Sequence, residues 1–221
     1  MRLPVVALLT AGLLAATPPA GAQTWAGPDP RGDVRVLRYQ PDAKPCAPFP
    51  EHRNRHDKRH DIRELAVDNG LESVVLTVSL REVDKRDRST IYYLHVRTPK
   101  KAYSLNVGRF AGSGGTEVFL SEEPHYPNPS QIKNCSFATD SGEIPCEGLA
   151  GKLSPQTDQL LVTIPASCLS EPAWVRVAAE LTGFTKPDAF GRFTMSTDFW
   201  APRGVKRSGF LPPFGPRVHS S

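Results

Sequence analysis

Across residues 62–107 apolar and polar side chains exchange places at almost every step, and a period of two permits little except extended strand. Leu65 and Val67 alternate with Glu64 and Ala66 up to the turn signal Asp68-Asn69-Gly70. Val74, Leu76, Val78 and Leu80 share one face of the next run. Tyr92, Leu94 and Val96 then oppose Tyr93, His95 and Arg97, and Tyr103, Leu105 and Val107 give a further strand. Residues 84–88 read as a charged turn and Pro99-Lys100-Lys101 as a break. Residues 116–120, 160–164, 174–178 and 192–199 continue the strand pattern, with Pro216-Arg217-Val218 closing an edge. No stretch keeps the i, i+3, i+4, i+7 spacing of a helix. The expectation is an all-β protein, an antiparallel β-sandwich or jelly-roll-like fold, each sheet with one wet face.

The two ends read differently. Residues 1–22 have the form of a Sec-type export signal: Arg2, then a short uncharged apolar run, then Ala20-Gly21-Ala22 as a cleavage site. The apolar run falls short of the roughly 20 residues needed to cross a bilayer. Cleavage near Ala22 leaves 199 of the 221 residues as one secreted domain. Removing Arg2 lowers the formal charge from +4 to +3, too mild and too scattered for a nucleic-acid binder. No second stretch reaches spanning length, so membrane insertion is not expected. The chain has 22 prolines, about twice the usual share of ~5%, crowded into residues 28–50 and 202–216. Residues 23–60 therefore read as an irregular Pro/His-rich arm, 61–200 as the sandwich, and 201–221 as a Pro-rich tail.

Four cysteines in an exported chain read as two disulfides, because no C-x2-C pair suggests zinc. Cys146 and Cys168 are symmetric about a turn at Ser154-Pro155-Gln156-Thr157-Asp158, which favours Cys146–Cys168 and leaves Cys46–Cys135. Cys135 and Cys146 are also nearly symmetric about Thr139-Asp140-Ser141-Gly142, so that pairing stays open.

Chemistry-bearing clusters are few. His52, His56 and His60 recur every four residues, which would align three imidazoles on a helix for Zn²⁺ or Cu²⁺. Arg55, Lys58 and Arg59 oppose a dication there, and the proline-rich flank opposes a helix, so a solvated arm is the preferred reading. Ala111-Gly112-Ser113-Gly114-Gly115 lacks the first glycine of a nucleophile elbow. His95 reads as a surface or edge histidine, Glu122-Glu123 beside His125 as a loop tip, and Asp188 and Asp198 have no evident partner. Trp174 and Trp200 read as core rather than as a sugar platform. Arg31-Gly32-Asp33 and the sequon Asn134-Cys135-Ser136 are chance matches.

Cys146-Glu147-Gly148-Leu149, Val162-Thr163-Ile164-Pro165-Ala166-Ser167-Cys168-Leu169 and Pro172-Ala173-Trp174-Val175-Arg176-Val177 together resemble a group of small secreted actinobacterial proteins. Asp29-Pro30-Arg31-Gly32-Asp33-Val34 and Gly215-Pro216-Arg217-Val218 are also similar. The resemblance implies a β-sandwich bridged by Cys146 and Cys168, and it implies no activity. Cys46, Cys135 and the His-rich insert depart from it. The function expected is a non-catalytic binding or cell-envelope module with an extracellular ligand and no cofactor. The alternatives are a secreted hydrolase with an unassigned site, or metal capture by the histidine arm.

Overall fold

In the computed structural model, which describes residues 23–39, 51–84, 89–109, 115–123, 142–201 and 212–220, the alternating segments all become strands. Chain order gives β1 (Gln23–Pro28), β2 (Arg35–Tyr39), β3 (Glu51–Arg53), β4 (Ile62–Asn69), β5 (Ser73–Leu80), β6 (Thr90–Arg97) and β7 (Ala102–Gly108). β8 (Glu117–Glu122), β9 (Ala150–Ser154), β10 (Gln159–Pro165), β11 (Trp174–Phe184), β12 (Phe193–Phe199) and β13 (Val218–His219) follow. One sheet runs β1-β4-β5-β10-β9, and the other runs β3-β2-β12-β11-β6-β7-β8 with β13 paired to β11. Every pairing is antiparallel. No helix among the described residues is long and apolar enough to cross a membrane.

The two inner faces make the core, because alternation sends every second side chain the same way. Leu65, Val67, Leu76, Val78, Leu160 and Val162 come from the first sheet; Leu94, Val96, Leu105, Val107, Val177 and Leu181 come from the second. All twelve are buried. This is an all-β sandwich.

Residues 23–60 contribute more than an irregular arm. β1 pairs with β4 from Gln23↔Asn69 to Pro28↔Glu64, while β2 and β3 extend the second sheet beyond β12. Pro28 is the last residue of β1, an edge strand, where a missing amide is tolerated. Val34 and Val36 still reach the interior.

Cys146 and Cys168 form a disulfide, with Cα atoms 5.6 Å apart. The β9–β10 register runs from Gln159↔Ser154 to Thr163↔Ala150. Continued toward the open end, it brings Cys146 within a residue of Cys168. The alternative Cys135–Cys146 pairing is therefore excluded. Cys46 and Cys135 lie outside the described residues.

Candidate functional site

Four aspartates from three stretches of chain meet where the two sheets approach each other. Asp29 and Asp33 flank the loop between β1 and β2, Asp61 precedes β4, and Asp198 lies near the end of β12. Gly32, between the first two, adopts φ +68, a left-handed conformation natural to glycine. Its amide donates to both Asp61 oxygens at 3.0 and 3.1 Å, and Arg81 Nη1 donates to Asp61 Oδ2 at 3.2 Å. The Ile62 amide donates to Asp198 Oδ2 at 2.8 Å, and the Ala201 amide to Asp29 Oδ1 at 2.6 Å. Asp29, Asp33 and Asp198 each present a carboxylate oxygen within 4.8 Å of the others. Asp29 and Asp198 are 8% and 3% exposed. Asp29 Oδ2 and Asp33 Oδ1 are buried without a hydrogen-bond partner.

Crowding acids out of water costs the charged form. Burial pushes Asp29 up to about 8 against the pull of the Ala201 amide, and the Asp33 and Asp61 charges add to the rise. Burial and the neighbouring Asp29 and Asp33 likewise hold Asp198 well above the usual carboxylate range. Asp33 is raised by burial despite its own amide and the nearby Arg53 and Arg35. The sign for stability follows. An acid raised in the fold binds its proton more tightly there than in the unfolded chain, where its pKa is about 3.9. That contribution is complete below the unfolded pKa and drains away as pH rises through the folded one. In chelator, the melting temperature should therefore fall between about pH 4 and pH 8, and Asp29→Asn should flatten the decline. A chelated wild-type protein that grows more stable over that range would contradict this account.

A second cluster is cationic. Arg97, Lys100, Lys101, Arg176 and Arg217 surround an open cleft of about 390 Å³, together with Trp174 and the turn between β6 and β7. That turn is braced by Thr98, whose amide and hydroxyl both donate to the Lys101 carbonyl at 2.8 and 2.9 Å. The Lys101 amide donates back to Thr98 Oγ1 at 3.0 Å. Arg97 and Arg176 are direct cross-strand partners, an arrangement of like charges that normally destabilises a sheet. Phe214 lies beneath both guanidiniums, 4.1 Å from Arg97 and 5.9 Å from Arg176. Arg176 also donates to the Gly215 and Phe214 carbonyls. Arg217 lies 4.5 Å over the Trp174 ring, while Lys101 pairs with Glu122 at 2.9 Å.

The histidines of the arm are not brought together as three ligands. His52 is exposed on β3 opposite Val36, and His56 is exposed in a turn capped by Asn54. His60 is half-buried, with Nδ1 2.9 Å from Asp57 Oδ2 and Nε2 3.3 Å from Thr90 Oγ1. Its ring fills the space where a Cβ at Gly183 would stand. Burial raises Asp57, but the bonds to His60 and Ser196 outweigh it and hold the carboxyl below its ordinary range.

His95 is buried rather than at the surface, with Nδ1 3.9 Å from Glu123 Oε2. Glu123 is raised by its burial, against the nearby Arg97. His125 and residues 110–114 lie outside the described residues. Asp188 is a turn residue that accepts the Phe190 and Arg192 amides and the Arg192 side chain. Trp200 is core, whereas Trp174 is half-buried at the cationic cleft.

Sequence reading missed both clusters because their members are far apart in the chain. Only Asp29 and Asp33, four residues apart around a glycine, carried a local sign of the first. The features define an all-β, disulfide-bridged sandwich with a buried acidic cluster and a basic cleft. No family model, curated protein or solved structure matches the chain.

Proposed function

We propose that this chain is an exported, non-catalytic binding module that takes an anionic extracellular or cell-envelope ligand at the cleft between Lys100 and Arg217. The observation that carries the reading is the cross-strand Arg97–Arg176 pair. Two guanidiniums held side by side over Phe214 concentrate positive charge at the cleft, and a ligand bearing phosphate, sulfate or carboxylate groups would be attracted to it. Trp174 adds a flat apolar surface at the rim. Export is supported by the signal-like residues 1–22 and by the Cys146–Cys168 bridge. The resemblance to small secreted actinobacterial proteins supports the same setting. The acids that converge, at Asp29, Asp33 and Asp198, do not line the cleft, which favours binding there over hydrolysis by paired carboxylates.

The test is titration of residues 23–221 with dextran sulfate, using neutral dextran as the control. Wild-type protein should bind only the charged polymer, and added salt should weaken it. Lys100→Glu with Arg217→Glu should raise the apparent Kd at least about tenfold while leaving the melting temperature nearly unchanged. Equal binding of both polymers, or no effect of the double substitution, would refute the assignment.

A further inference from the structure

The geometry points to a calcium site formed by Asp29, Asp33 and Asp198, which joins the β1–β2 loop of the sandwich to the end of β12. Acidic side chains often cluster without a ligand, so the decisive observation is a separate one. Asp29 is more than nine-tenths buried, its Oδ1 is taken by the Ala201 amide, and its Oδ2 has no hydrogen-bond partner. A buried carboxylate oxygen without a partner costs a fold free energy unless something binds there. Asp33 Oδ1 has the same deficit.

The class of cation follows from the donors. The group contains oxygen donors only, with no histidine or cysteine, which disfavours zinc and copper. Oxygens bound to one calcium ion at about 2.3–2.6 Å lie at most about 4.6–5.2 Å apart. The three carboxylates already fall within 4.8 Å of one another. Magnesium requires tighter, near-octahedral packing at about 2.0–2.1 Å and holds its waters strongly, which suits three buried and hydrogen-bonded carboxylates less well. Asp33 is half-buried, so its side of the cluster leaves a path for the ion and for water ligands.

Two nearby arginines are already engaged. Arg81 is committed to Asp61, and Arg53 Nε donates to the Gly32 carbonyl at 2.6 Å, where it holds the loop. Arg35 and Arg53 lie near Asp33. Asp61 is a positioning residue: both of its oxygens grip the Gly32 amide, which fixes where Asp29 and Asp33 point. A bound dication would neutralise the acids in place of protons.

The test uses residues 23–221 with the disulfide intact, stripped with EDTA and exchanged into chelator-free buffer at pH 7.5. Isothermal titration with CaCl2 should show one ion per chain with a Kd of about 0.1–1 mM, the range of extracellular calcium modules. Thermal melting should shift upward by several degrees in 10 mM CaCl2, and by less in 10 mM MgCl2. Asp29→Asn and Asp198→Asn keep the oxygens that accept from Ala201 and Ile62 but replace the other carboxylate oxygen with an amide NH2, which cannot ligate a cation, so both should fold without calcium. Each should weaken calcium binding at least tenfold, whereas Asp188→Asn on the exposed turn should bind like wild type. Absence of calcium binding up to 10 mM, an equal response to magnesium, or binding that survives in both Asn variants would overturn the assignment.

Discussion

Replacing Trp200 with Ala should cost about 3–5 kcal/mol of stability, the range for emptying a large aromatic site in a packed core. The residue is 1% exposed and follows β12, where it closes the gap between the two sheets. Its ring meets Trp25 edge to face, with centroids 5.2 Å apart and planes at 89°. Its Nε1 donates to the Gly27 carbonyl at 2.8 Å, and its amide donates to Ala179 at 2.9 Å. Gly27 is required by the same arrangement, since a Cβ there would stand 2.8 Å from the Trp200 ring. The void left by Ala could not collapse easily, because β1, β11 and β12 are all fixed by their ladders. For a domain of this size the melting temperature should drop by about 6–20 °C. Trp200→Phe separates volume from polarity: it keeps most of the ring and strands the Gly27 carbonyl, at about 1–3 kcal/mol. Urea unfolding of the three proteins measures both effects, and a loss under about 1 kcal/mol for the Ala variant would show that the site repacks.

The fold was readable where burial is one-sided. β5 alternates buried and half-buried residues without a break, and its pattern follows directly from Val74, Leu76, Val78 and Leu80. β11 was harder to delimit. Its eleven residues include the buried run Val177-Ala178-Ala179, because parts of both of its faces are covered, and a strand buried on both faces loses its period of two. The edge strands β1 and β3, and the short β2 between β3 and β12, were hidden for another reason. Proline and short length are devices that protect an edge, and in sequence they look like the absence of structure. His95 misled similarly: its period assigned it to an outer face, but other parts of the chain cover that face.

The candidate sites were legible only in fragments. Asp198 looks solitary in sequence because its partners lie more than 130 residues earlier, and antiparallel pairing of β12 with β2 brings them together. The cationic cleft assembles from the β6–β7 turn, the start of β11 and the chain around Arg217, three segments joined by the register Arg97↔Arg176 and Trp174↔His219. By contrast, the conspicuous four-residue spacing of His52, His56 and His60 has meaning only on a helix. This segment is a strand followed by turns, so the period places nothing together.

Removing the Cys146–Cys168 bridge should cost roughly 3 kcal/mol, as expected for closing a loop with a sequence separation of 22. The bridge ties the open end of the β9–β10 hairpin, where Cys168 lies in the 3-10 turn Ala166–Leu169. β9 is an edge strand of its sheet, and of its residues Leu153 is the one buried. Without the bridge, β9 would be held mainly by its ladder to β10, by the Arg109 Nη2 bond to the Leu153 carbonyl and by the Thr116 hydroxyl. Both cysteines also pack against the core, so Ser at both positions adds a small loss of apolar contact. The loss should therefore be partly global and partly local. Urea unfolding of Cys146→Ser/Cys168→Ser should show the drop in stability, and hydrogen exchange should rise most in β9 and around residues 146–149. β4 and β5 lie on the far side of β10 and are buried along the core face, so they should keep their protection until the whole domain unfolds. Equal loss of protection in β5 and β9 would mean that the bridge supports the whole sandwich instead of its edge. A change under about 1 kcal/mol would mean that the register and the Leu153 contact alone hold the hairpin closed.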